Sequence, residues 1–124
     1  LLPRGDILSY EEILRVAGVA VGLGITKFRV TGGEPLVRHG VVDFLEKLCG
    51  LPGVQDVGLS TNATKLAPIA TKLRDFGVTK VNISLDTLRP DRYKAITGGR
   101  LEDVLAGIDA AAQAGFSQVK LNAV

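Results

Sequence analysis

Four short runs rich in β-branched and aromatic residues begin near residues 27, 57, 80 and 118, and a stretch of helical periodicity separates each from the next. Strands divided by a helix cannot close as hairpins, so they pair in parallel through crossover connections. The chain is therefore α/β, built from successive βα units. Two architectures satisfy this order: part of a (β/α) barrel, or an open doubly wound sheet.

Local signals place the elements. Ser9 and Glu12 have the spacing of a capping box, and Ile13, Leu14, Ala17 and Val21 follow at helical intervals, which predicts a helix from Tyr10 to Gly22. Lys27 to Val30 reads as a strand closed by Gly32-Gly33. Val41, Phe44, Leu45 and Leu48 share one face of a helix from Gly40 to Cys49, before a strand from Val57 to Thr61. Pro68 suits the first turn of a helix running to Phe76, with Gly77 past its end. A third strand covers Lys80 to Leu85. A short helix is expected from Pro90 to Ile96, a longer one from Leu101 to Ala114, and a fourth strand from Val119 to Val124.

Composition excludes several classes. With 124 residues, 46% hydrophobic and 23% charged, the chain has the makeup of one globular domain rather than a disordered or fibrous segment. The net charge is only +2 and the basic residues are scattered, which argues against a nucleic-acid partner. No apolar run reaches the ~18 residues of a membrane span, and Leu1 to Asp6 lacks the pattern of a signal peptide. Cys49 is the single cysteine, so no internal disulfide can form and a cytoplasmic setting is expected. The chain contains no Met and stops within a strand pattern, so it is expected to be a fragment, residues 1–124 forming the central part of one domain.

Both architectures place function beyond the C-terminal ends of the strands. At the first exit Gly32 and Gly33 bare the backbone, and Glu34 is held extended by Pro35. An anionic acceptor beside bare backbone suits a ligand ammonium, whose three donors need acceptors; the alternative is a plain turn with a solvated Glu34. Arg29 and Thr31 alternate onto one face, and Lys120 occupies a like position on the fourth strand. Two cations facing one interior suit a polyphosphate, the alternative being outward residues paired with acids. Ser60, Thr61 and Asn62 offer hydroxyl and amide groups, or serve turns and caps. Asn82 and Ser84 share a face of the third strand, with Asp86 just beyond it. His39 reads as a surface residue, Cys49 as a small core hydrophobe, and neither a metal-ligand spacing nor a Ser-His-Asp set is present.

Three stretches carry a resemblance. Lys27 to Arg38 (KFRVTGGEPLVR), Val81 to Leu88 (VNISLDTL) and Val119 to Val124 (VKLNAV) are similar to the radical SAM GTP 3′,8-cyclase family of molybdenum cofactor biosynthesis. The similarity runs nearly end to end; Gly32-Gly33-Glu34-Pro35 alone would indicate only radical SAM. The resemblance implies a partial, TIM-like (β/α)6 barrel and a lyase that uses S-adenosylmethionine and [4Fe–4S] clusters to generate a 5′-deoxyadenosyl radical and cyclise GTP. It implies contacts of Gly33, Glu34 and Ser84 with S-adenosylmethionine, and of Arg29, Ser60 and Lys120 with GTP. It further implies a homodimer and a downstream pterin-forming enzyme as partners.

This chain has Ser60 where the family usually has Thr, and Ala63 where it commonly has Gly. The family's cluster cysteines precede the first helix or follow in a C-terminal region, so the chain holds no metal ligand set and no catalytic residue of its own, and is expected neither to turn over GTP alone nor to stay monomeric. Two other readings share these residues: a radical SAM enzyme with a different substrate, and a non-catalytic α/β binding module.

Overall fold

A computed structural model describes residues 9–32, 34–85 and 101–123. The expected helix from Pro90 to Ile96, together with Gly33 and Asp86, lies outside the described residues. In chain order the elements are α1 (Tyr10–Gly22), β1 (Lys27–Val30), a 3-10 turn (Pro35–Val37), α2 (Val41–Gly50), β2 (Asp56–Thr61), α3 (Ala70–Phe76), β3 (Lys80–Leu85), α4 (Leu101–Ala114) and β4 (Gln118–Ala123).

The local signals act as their chemistry requires. The Ser9 hydroxyl accepts from the Glu12 amide and the Glu12 carboxylate accepts from the Ser9 amide, closing the capping box. Gly40 takes the left-handed conformation, φ 81°, that turns the chain into α2. Helix α2 buries Val41, Phe44, Leu45 and Leu48, the stripe read from its periodicity.

The third helix is the exception: it begins at Ala70 rather than Pro68. Residues 64–69 form turns in which the Leu66 amide donates to Ala63 O and the Ile69 amide to Leu66 O. Those three-residue steps bury Leu66 fully before the helix starts, an outcome of packing that Pro68 does not encode.

The four strands are parallel and lie in sequence order, β1-β2-β3-β4. Neighbouring helices contact one another in the same order, α1 with α2, α2 with α3, α3 with α4. Their buried residues join Val57, Leu59, Val81 and Ile83 in a single core on one face of the sheet. A doubly wound sheet would reverse its strand order at a switch point and carry helices on both faces. Sequential order with one covered face is the arrangement of a partial (β/α) barrel. No helix among the described residues is long and apolar enough to cross a membrane.

Candidate functional site

The face of the sheet opposite the helices is polar from end to end. Period-two alternation sends Val57, Leu59 and Thr61 of β2 into the core, so Asp56, Gly58 and Ser60 take the other side. Parallel register then sorts that side into rows. Arg29, Gly58, Lys80 and Gln118 are aligned in one row, and Ser60, Asn82 and Lys120 in the next. Ser84 and Asn122 form a third, nearest the strand ends. Barrel interiors are ordinarily filled by layers of branched apolar side chains. Here not one is present in these rows, so the face presents polar groups where a barrel ordinarily packs apolar ones.

Arg29, Ser60, Ser84 and Lys120 therefore share a face. Arg29, Ser84 and Lys120 are exposed, and Ser60 is half-buried. Three residues that sequence reasoning passed over join them. Lys80 lies across from Arg29 with Gly58 between, and a β-carbon built on Gly58 would lie 3.9 Å from Arg29 Nε and 3.8 Å from Lys80 Cβ. The missing side chain opens a recess of about 260 Å³ bordered by Lys27, Arg29, Asp56 and Lys80. Lys80 Nζ meets Asp56 Oδ2 at 3.0 Å. Asp56 also accepts a hydrogen bond from the Thr79 hydroxyl, and that bond, then Lys80, holds its carboxyl below the ordinary carboxylate range. Only the spacing of Lys80 two residues before Asn82 could have signalled this part of the face.

Glu34 departs from the solvated turn that was one alternative. Its backbone is extended, φ −131° and ψ 101°, as the following proline requires, and its carboxylate is half-buried. Thr61 Oγ1 donates to Oε2 at 2.6 Å, the Leu36 amide donates to Oε2 at 3.1 Å, and the Asn62 amide donates to Oε1 at 2.7 Å. Glu34 thus fastens the exit of β1 to the exit of β2. Gly32, with φ 142°, takes a conformation that glycine favours, and among the described residues nothing lies within 4 Å of where a β-carbon would stand.

The second exit divides. Thr61 is buried and bonded to Glu34, and Asn62 Oδ1 accepts from the amide and hydroxyl of Thr64, so both serve the loop. Ser60 alone of the three faces the polar rows. Ala63, where the resembled family commonly has Gly, is fully buried at φ 67°, so the loop keeps the left-handed turn that glycine favours. His39 is exposed, and Cys49 is half-buried on α2, its thiol pushed up to about 11 by burial. No group of three or more His, Cys, Asp or Glu that could hold a metal ion occurs among the described residues.

Comparison with known proteins agrees with this geometry. Residues 2–124 match the model of the Radical SAM superfamily. The chain is 49% identical over 125 residues to a protein of Thermodesulfovibrio yellowstonii named GTP 3′,8-cyclase, an alignment covering 100% of this chain and 39% of that protein. It is 52% identical over 124 residues to GTP 3′,8-cyclase 1 of Pseudomonas aeruginosa, covering 99% of this chain and 38% of the relative. A GTP 3′,8-cyclase of Pseudomonas putida gives 52% identity, with 99% and 37% covered. The chain therefore spans less than two-fifths of the length of these curated relatives. Matched over nearly its whole length by one family model and folded as a barrel segment with a polar inner face, the chain belongs to the Radical SAM superfamily.

Proposed function

We propose that these residues form the central part of the barrel of a GTP 3′,8-cyclase of molybdenum cofactor biosynthesis, and that their polar sheet face binds the two small molecules of that reaction. The observation that carries the reading is the pair of adjacent rows in which Arg29 on β1 and Lys120 on β4 flank Ser60 and Asn82. Cations on β1 and β4 of one sheet face suit a triphosphate, the guanidinium as a two-pronged donor and the ammonium as a point charge. The relatives named GTP 3′,8-cyclase, about half identical to this chain, support the choice of GTP. In this reading Arg29, Ser60 and Lys120 contact GTP.

Gly33, Glu34 and Ser84 contact S-adenosylmethionine. The described residues fit it: an anionic acceptor at Glu34, a glycine-favoured backbone at Gly32 and an exposed hydroxyl at Ser84, all at strand exits. When bound, it supplies the radical chemistry that abstracts hydrogen from the ribose of GTP. A [4Fe–4S] cluster does not fit these residues, because it is held by about three or four thiolates, and Cys49 is a single, half-buried thiol that stays protonated at neutral pH. The clusters of this reading belong to thiolates elsewhere in the protein. The reading also places the protein in the cytoplasm as a homodimer that passes its product to a pterin-forming enzyme.

The test is GTP binding and conversion by the full-length protein, reconstituted anaerobically. Arg29→Ala and Lys120→Ala are each expected to weaken GTP binding about tenfold, the worth of one charge-assisted contact. Unchanged GTP affinity in Lys120→Ala would favour a radical SAM enzyme with another substrate. Failure to bind S-adenosylmethionine would favour a non-catalytic module. The 124-residue chain alone is expected to show no turnover.

A further inference from the structure

Thr61 is the one buried polar residue among those described, at 3% exposure, and it stands on the helix side of β2, opposite Ser60. It cannot itself reach the polar face. Its hydroxyl has one proton, given to Glu34 Oε2 at 2.6 Å, while its oxygen accepts from the Ala63 amide at 3.0 Å. The two bonds fix the direction of the hydroxyl.

A carboxylate offers about four acceptor sites. Among the described residues Thr61, Leu36 and Asn62 take three, two on Oε2 and one on Oε1, which leaves the capacity for a further donor on Oε1. Held by Thr61 at the end of β2, by the Asn62 amide just after it and by the Leu36 amide in the 3-10 turn, Glu34 is confined to one orientation before any ligand arrives.

We infer that Thr61 is a positioning residue for the ammonium-bearing end of S-adenosylmethionine: by clamping Glu34 Oε2 it keeps Oε1 turned to receive the ligand's ammonium. This rests on the assignment of Glu34 to S-adenosylmethionine made above. Without the hydroxyl, Oε2 loses its shortest bond and the carboxylate must be ordered at the expense of binding.

The test uses the full-length protein and two thioethers measured by calorimetry. S-adenosylhomocysteine carries the ammonium; 5′-methylthioadenosine has the same nucleoside and sulfur without it. Thr61→Val, close in shape, is expected to weaken S-adenosylhomocysteine up to about tenfold, the cost of immobilising the freed Glu34 side chain on binding. The same variant should leave 5′-methylthioadenosine within about twofold, and Thr61→Ser should restore both. Equal weakening of the two ligands, or of neither, overturns the inference and leaves Thr61 as a loop support only. If Thr61→Val does not fold, Thr61→Cys, with a weaker donor of similar size, is judged by the same two criteria. A wild-type protein that binds neither thioether overturns the assignment of the site itself, and the inference with it. That outcome is distinct from wild-type binding that Thr61→Val leaves unchanged.

Discussion

A β-carbon on Gly107 of α4 would stand 2.3 Å from the carbonyl oxygen of Ala63 in the loop after β2. The obstacle is backbone, and Ala63 is itself fully buried at φ 67°, so neither partner can retreat. In an exposed helix interior, Gly→Ala stabilises by about 1 kcal/mol. At Gly107 the sign reverses, and Gly107→Ala is expected to destabilise the protein by roughly 1–3 kcal/mol through overpacking. Thermal unfolding measures it, and a raised melting temperature would mean that α4 does not approach the loop this closely.

Cys49 is predicted to be a poor nucleophile at neutral pH. Burial favours the neutral thiol and lifts its pKa to about 11, against ~8.5 for a free cysteine. Alkylation rates in the native protein should rise only toward pH 11 and should drop to the ordinary profile on unfolding. The folded pKa is the higher one, so the stabilisation is complete below about pH 8.5. It is lost as pH climbs through the folded value of about 11. A native labelling profile centred near 8.5 would contradict the burial of this side chain.

Asp56 titrates in the opposite sense. The Thr79 hydroxyl is the larger cause and the Lys80 ammonium the smaller, and both favour the carboxylate. Its contribution to stability is present above the ordinary carboxylate value of ~3.9 and disappears as pH falls through the lower folded value. Thr79→Val should bring the Asp56 carboxyl resonance back toward that ordinary value in an NMR titration. No movement would assign the depression to Lys80 instead.

Gly58 separates size from shape. A β-carbon there meets only ordinary contacts at 3.8 and 3.9 Å, so Gly58→Ala is expected to fold and to gain roughly 0.5–1 kcal/mol from the stiffer backbone. Gly58→Leu should fold too but fill the recess between Arg29 and Lys80, and GTP binding by the full-length protein should fall with it. Retained binding in Gly58→Leu would place the phosphates elsewhere.

Most of the fold was legible because its signals are short-range. The capping box at Ser9 and Glu12, the buried stripe of α2 and the alternation in β3 all operate within one or two turns of chain. The start of α3 was not, since whether Pro68 opens a helix depends on where Leu66 must go to reach the core. In the site, alternation already placed Arg29, Ser84 and Lys120 on strand faces. It could not supply the register that aligns Ser60 with Asn82 and Lys120, nor the gap that Gly58 leaves between two cations.

The sequence by itself determined that this chain forms parallel βα units with polar strand exits and that its lone cysteine cannot hold a cluster. Periodicity, caps and residue counts are properties of neighbouring residues or of composition, and need no fold to be read. Tertiary structure alone decided that the sheet follows barrel order with the described helices on one face, and that Glu34 is tied to Thr61 and Asn62 rather than solvated. Those are contacts between residues about 27 positions apart. Their geometry exists only once the strands have paired and the core has closed behind them.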